Sequence, residues 1–312
     1  MTDLQPVVII AGPTASGKTA LALDVARAFT GTVINADSMQ VYRELRVLTA
    51  RPGPADEAAA PHRLFGVLAA SEACSAGRWL KLAAAEIDAE RGAGRLPVVV
   101  GGTGLYLKAL IEGLAAVPEV PAAVNAEVRR RFDRIGGEAF RAELARRDPE
   151  AAAKLPAGDG QRLKRAMAVV EATGRPLAEW QRRQPEAPWV KARFGVVALM
   201  PPRDALYAAA DARFEAMMAT GALDEAKALA ALGLDAGLPA MKALGVPALA
   251  RHLAGELPLA DAVTAAKQAT RNFAKRQLTW LRNQLVADHV IAALYGPAER
   301  ADALAWVKRF LG

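Results

Sequence analysis

An eight-residue run near the start of the chain, Gly12-Pro13-Thr14-Ala15-Ser16-Gly17-Lys18-Thr19, fits the phosphate-binding loop pattern in full. It follows an apolar run over residues 7–11 and opens a helical stretch over residues 17–29, the strand–loop–helix setting that gives such a loop its meaning. There the backbone N–H groups of a glycine-rich turn converge with the positive end of a helix, Lys18 adds a charge, and the Thr19 hydroxyl suits Mg²⁺. The loop does not tell which phosphate it holds. A nucleoside triphosphate is the default occupant, which makes the chain a nucleotide- or ATP-binding candidate, yet any diphosphate with Mg²⁺ would suit it.

The surrounding chain alternates as an α/β sheet protein does. Short apolar runs over residues 7–11, 32–36 and 96–100 are rich in β-branched residues, as buried parallel strands are, and helical stretches over 17–29, 76–91 and 105–112 separate or follow them. From 118 to 188 no strand-like run occurs, and polar helical segments are broken by Gly136-Gly137, Asp148-Pro149 and Gly174-Arg175-Pro176. Residues 194–200 then read as a strand, residues 204–220, 223–232 and 257–285 as helices, residues 289–294 as an edge strand and residues 298–310 as a terminal helix. The expected fold is a P-loop NTPase-like α/β core with a parallel sheet, formed by residues 1–117 and 194–312, interrupted by an all-helical insertion over 118–193.

Composition narrows the classes. The 53% of hydrophobic residues includes 72 alanines, so it reflects small helix formers more than an apolar surface. The longest strongly apolar runs are five residues, far short of the roughly 20 a membrane span requires, and no signal-cleavage pattern follows the first of them. A cytoplasmic protein without a membrane partner is expected. One cysteine, Cys74, and three scattered histidines exclude disulfide and zinc scaffolds. The net charge of +7 favours polyanionic partners, and residues 120–195, with 16 basic and 10 acidic side chains, carry +6 of it. A nucleic acid would bind there.

Two further features fall at strand ends, the rim where open α/β sheets place their sites. Asn35-Ala36-Asp37-Ser38-Met39-Gln40 follows the second strand, where Asp37 would face the loop, although Asp37 or Ser38 would serve equally well as a helix N-cap. Gly101-Gly102-Thr103-Gly104 follows the strand at 96–100, where an NTPase would often carry an aspartate and this chain has none. That weighs against ATP chemistry, while a tight strand-to-helix turn accounts for Thr103 equally well. On the helix at 257–285, Lys267, Arg271, Lys275 and Arg282 form one basic stripe that could lie along phosphates, and Phe273 and Trp280 read as core.

These motifs occur in one order and spacing with Thr49-Ala50-Arg51-Pro52, Pro61-His62-Arg63-Leu64, Asp159-Gly160-Gln161-Arg162 and Lys275-Arg276-Gln277-Leu278-Thr279-Trp280-Leu281. Together they resemble the tRNA dimethylallyltransferase family over nearly the whole chain. The resemblance implies transfer of a dimethylallyl group from dimethylallyl diphosphate to N6 of the adenosine 3′ of the anticodon, releasing diphosphate with Mg²⁺ present. The loop, through Lys18 and a Thr19-bound Mg²⁺, would then clamp a leaving group. Asp37 matches the family's general base, Thr103 a further catalytic group and Arg213 an arginine near the diphosphate, and Asp37, Ser38, Met39, Gln40 and Thr103 match a pocket floor for a base turned out of the anticodon loop.

Gln161, Arg162, Leu163, Lys164 and Arg165 match one tRNA-contacting run and Asn125 another, and the partner implied is the anticodon stem-loop, met by a monomer. Lys242 stands in a further such run, but Lys242, Val246 and Pro247 replace the family's more specific RNA-contacting types. Glu44, Arg46-Val47-Leu48 and Arg51 also differ from the usual residues. Two other classes compete: a small-molecule kinase with a helical lid, and a non-catalytic RNA-binding protein with a nucleotide-sensing loop.

Overall fold

A computed structural model describes residues 4–115, 117–182 and 189–312. The chain parts into two units, Met1–Glu112 with Trp189–Gly312, and Gly113–Pro188, so both boundaries fall five residues before the expected ones. The first unit begins β1 (Pro6–Ala11), α1 (Lys18–Ala28), β2 (Gly31–Asn35), α2 (Pro54–Ala59), β3 (His62–Arg63), α3 (Ala76–Gly92), β4 (Leu96–Gly101) and α4 (Gly104–Glu112). The second holds α5 (Ala122–Ala145), α6 (Pro149–Lys154), α7 (Gly160–Thr173) and α8 (Leu177–Arg182). The first unit then resumes with β5 (Arg193–Leu199), α9 (Arg203–Ala219), α10 (Ala222–Ala231), α11 (Val246–Leu253), α12 (Leu259–Gln284), β6 (His289–Ile291) and α13 (Pro297–Leu311).

The strands form one six-stranded sheet in the order β3-β2-β4-β1-β5-β6, parallel throughout. Val8 lies beside Val98 and Gly195, and Asn35 beside Val100, so β1, β2 and β4 end at one edge of the sheet. Strands covered by helices on both faces hold apolar residues at successive positions, and Val7 to Ala11 are all fully buried. Leu21, Ala22 and Val25 of α1 join Val8, Ile10, Val33, Val98 and Val307 in one core cluster. The α/β parallel core expected from the alternation is present. The elements β3, α2 and α11, with 2, 6 and 8 residues, are too short to show a period in the sequence.

Within the second unit, Phe140, Leu144, Leu163, Met167 and Val170 form a separate core. Its long helix α5 is broken at Gly136, where φ is 76° and ψ 168°, and its described residues include no strand.

A buried carboxylate fastens the start of the sheet to α3. Glu90, with a side chain 2% exposed, accepts hydrogen bonds from Thr32 Oγ1 at 2.6 Å and from Arg95 Nε, and pairs with Arg63 Nε at 3.0 Å. Burial alone raises its pKa, but the Arg95 and Thr32 hydrogen bonds and the nearby guanidinium charges outweigh it and hold the carboxyl below its ordinary value. A depressed carboxyl pKa contributes stability above the unfolded pKa and loses it as pH falls through the folded one. Glu90→Ala is expected to lower the unfolding free energy by about 3 kcal/mol at pH 7 in urea titrations. That deficit should shrink on acidification below roughly pH 4.

Candidate active site

Three loops leave adjacent strand ends. The first, residues 12–19, turns sharply enough that Ala15 has φ 65° and Gly17 φ 90°, a left-handed conformation natural only to the glycine. Its Lys18 ammonium donates to the Pro13 carbonyl at 3.2 Å. Burial lowers the Lys18 pKa to about 8; the Asp37 charge works against that shift and the Arg213 charge adds to it.

The second loop, after β2, is braced by Asn35, whose Oδ1 accepts the Asp37 N–H at 2.8 Å while its Nδ2 donates to the Asp37 and Leu64 carbonyls. No helix begins at Asp37 or Ser38, so neither is an N-cap. Asp37 Oδ1 instead accepts the Met39 N–H at 2.9 Å in a local turn, which fixes the carboxylate at the rim. The third loop meets the second through Thr103, whose hydroxyl accepts the Ser38 N–H at 2.9 Å and donates to Ser38 Oγ at 3.3 Å. Thr103 therefore supports the pocket floor.

One side chain ties the first and third loops together. Gln277 of α12 accepts the Thr14 N–H at 2.8 Å and donates to the Gly102 carbonyl at 2.8 Å. A Cβ at Gly102 would collide with Gln277 Nε2 and come within 2.8 Å of the Gly12 carbonyl, so only glycine fits there. Gln277 belongs to the Lys275–Leu281 motif, whose pattern gives it no role of its own. Its signal is a polar residue on the buried face of α12, in line with Ala266, Thr270 and Ala274.

Above these loops lies a cavity of about 220 Å³. Thr14, Asp37, Ser38, Met39, Lys242 and Arg213 all line it, so six expected site residues from four separate stretches meet in one place. Arg213 hydrogen-bonds Thr14 Oγ1, and burial depresses its pKa against the opposing influence of Asp37. The rest of the wall is largely apolar: Leu48, Ala210, Phe214, Met217, Leu244 and Phe273. Phe273 thus faces the cavity instead of the core, with Arg276 over its ring at 5.6 Å from the centroid. Gln40 points elsewhere, donating to the Thr49 and Ala50 carbonyls.

The basic stripe of α12 is half neutralised. Lys267 pairs with Glu215, and Arg271 pairs with Asp211 at 2.5 Å, both acids coming from α9 and so invisible in the stripe itself. In the second unit, Asn125 Nδ2 donates to the Val120 carbonyl at 3.1 Å. Gln161, Arg162 and Arg165 are exposed, and Lys164 sits 4.6 Å from the centroid of the Phe132 ring. Leu163 has no exposed surface and belongs to that unit's core, so its side chain meets no partner.

A cavity lined by Arg213, Lys242, Arg276 and Asp37 and by largely apolar side chains suits an apolar group carried on a phosphate anion. The family model described as IPP transferase matches residues 40–284, and that described as Isopentenyl transferase matches residues 5–65. A tRNA dimethylallyltransferase of Rhodospirillum centenum is 58% identical over 287 residues, covering 92% of this chain and 91% of that protein. One from Rhodopseudomonas palustris is 58% identical over 280 residues, covering 89% and 87%. The crystal structure of the full-length tRNA isopentenylpyrophosphate transferase of Bacillus halodurans has a TM-score of 0.72 at 29% identity, covering 99% of this chain and 97% of that one.

The lowered Lys18 pKa fixes a pH dependence for anion binding. In the free site the ammonium discharges as pH rises through about 8, whereas a bound diphosphate favours the charged form and raises its pKa. Between those two values binding takes up a proton, so affinity for Mg-diphosphate measured by titration calorimetry should fall by up to about tenfold per pH unit above pH 8. Lys18→Met should bind weakly with no such slope; an equal slope in the variant would assign the proton to another group.

Proposed function

The chain belongs to the IPP transferase family, and from that premise we propose that it transfers a dimethylallyl group from dimethylallyl diphosphate to N6 of the adenosine 3′ of the anticodon in tRNA. The observation that carries this reading is the cavity itself, in which Arg213 and Asp37 stand beside a largely apolar wall, with Lys18 near enough for its charge to feel both. A kinase needs a polar pocket for the acceptor hydroxyl of its substrate; the apolar wall of Leu48, Phe214 and Met217 suits an isoprenyl chain instead. The relatives named above are dimethylallyltransferases, and both the kinase and nucleotide-sensor readings give way to this one.

The diphosphate binds at the amides of residues 12–19, with Lys18 and Arg213 on its oxygens. As the allylic C–O bond breaks, its electron pair goes to the diphosphate, and these two cations stabilise the growing charge. The adenine N6 lone pair forms the new C–N bond, and the N6 proton passes to the Asp37 carboxylate. Because Met39 N–H holds one Asp37 oxygen, the other is left to accept that proton. Thr103 acts through Ser38, keeping the floor under the turned-out base.

The residues fit a divalent ion held mainly by substrate phosphates. Among the described residues no three His, Cys, Asp or Glu side chains gather into a cage, and Thr19 offers a hydroxyl oxygen in the first turn of α1. Thr19 would hold Mg²⁺, which supplies further neutralisation of the leaving group. The helical second unit meets the anticodon stem-loop through Asn125, Gln161, Arg162, Lys164 and Arg165, and Lys242 borders the cavity where RNA enters. No helix among the described residues is long and apolar enough to cross a membrane. The reading assigns the chain to the cytoplasm as a monomer.

Incubation with dimethylallyl diphosphate, Mg²⁺ and unmodified tRNA, followed by digestion and mass spectrometry, should yield adenosine heavier by one isoprenyl unit. Unmodified nucleoside with tRNA still bound would overturn the reading. Asp37→Ala should lower kcat by about 10²–10⁴-fold with tRNA affinity retained; undiminished turnover would remove Asp37 as the base.

A further inference from the structure

The cavity that would hold the isoprenyl group has a neighbour. A second, more open cavity of about 310 Å³ is lined by Arg46, Val47, Ala50 and Arg51, and shares Arg213 and Met217 with the first. Leu48 and Thr49 line the first cavity, while the residues on either side of them line the second, so the segment 46–51 is a partition between the two.

A partition made of irregular backbone keeps its place only if its polar groups are held. Here Glu225 of α10 does that: its carboxylate accepts the N–H groups of Arg46 at 2.6 Å, Val47 at 2.7 Å and Leu48 at 2.8 Å. Gln40 holds the other end through the Thr49 and Ala50 carbonyls. Leu48 and Phe214 both line the first cavity and both close on Gly245, where an added Cβ would come within 2.9 Å of Leu48 Cδ2 and 3.0 Å of Phe214 Cε2. Little slack remains at this end of the first cavity.

We infer that Glu225 is a positioning residue that limits the length of the transferred chain, by pinning the segment 46–49 as a wall at the end of the donor cavity. The inference rests on the prenyl-transfer reading. Without the carboxylate, three adjacent N–H groups lose their acceptor and the segment is free to move. The wall between the two cavities then opens, and a donor one isoprene unit longer gains room beside Met217. The bonds made and broken stay the same; only the chain on the allylic carbon changes.

The test compares kcat/KM for dimethylallyl and geranyl diphosphate, with tRNA as acceptor, in the wild-type chain, Glu225→Ala, Glu225→Gln and Leu48→Ala. Wild type should favour the shorter donor, and Glu225→Ala should shift the ratio toward the longer one by about tenfold or more. Glu225→Gln, with one accepting oxygen in place of two, should lie between. Leu48→Ala enlarges the same end without touching the anchor and should shift the ratio likewise, so the inference is still tested if Glu225→Ala does not fold. An unchanged ratio in Leu48→Ala and Glu225→Gln, with both donors slowed equally, would overturn the inference and leave Glu225 a structural residue. Failure of the wild-type chain to transfer either group would instead overturn the prenyl-transfer reading.

Discussion

The amide of Gln277 joins three parts of the chain that are far apart in sequence. Its oxygen takes the N–H of Thr14, its nitrogen gives to the carbonyl of Gly102, and its own backbone belongs to α12. The loop after β1 and the loop after β4 are thereby held at a fixed spacing by a group that is both donor and acceptor. No charged or apolar side chain of similar size could do both. The loop after β2 is then placed by Thr103, one residue beyond Gly102. Asp37, Lys18 and Arg213 owe their proximity to this chain of backbone contacts, because each sits on, or bonds to, one of the linked loops.

That proximity is electrostatically demanding. Two half-buried cations, Lys18 and Arg213, share the site with the Asp37 carboxylate, and their partial burial lowers the pKa of both. A site that strains its own positive charges is one that gains when an anion arrives, since the anion replaces hydration the protein has already removed. Asp37 offsets part of that positive charge, while the Met39 N–H holds one of its oxygens in place. It stays available to a third party.

How much of this was legible in the sequence follows from range. The loop of residues 12–19 and the strands over 7–11, 32–36 and 96–100 are local patterns, and each is present nearly where the periodicity puts it. Asp37 and Ser38 were ambiguous between capping and the rim, and only the Asn35 bracing and the absence of a helix resolve them. The misreadings share a cause. Phe273 looked like core because helical spacing shows which face a residue shares but not what that face meets. The stripe from Lys267 to Arg271 looked free because its acids, Asp211 and Glu215, lie on another helix about 50 to 60 positions away. Glu225 gave no signal at all, since a carboxylate on a short helix is ordinary until three N–H groups some 178 residues upstream are found around it.

The placement of the helical unit has a consequence for how the chain comes into being. Strand β1 carries the phosphate loop and lies between β4 and β5, yet β4 ends at Gly101 and β5 begins at Arg193, so 91 residues, most of them the inserted unit, separate the two. At synthesis rates of roughly 5–20 residues per second, the nascent chain presents β1 with one apolar edge uncovered for about 5–18 s before its second neighbour leaves the ribosome. Through that interval an open strand edge of valine and isoleucine invites pairing with another chain. The helical unit, with its own core, can fold meanwhile, so the last part of the protein to become ordered is the sheet that holds its chemistry.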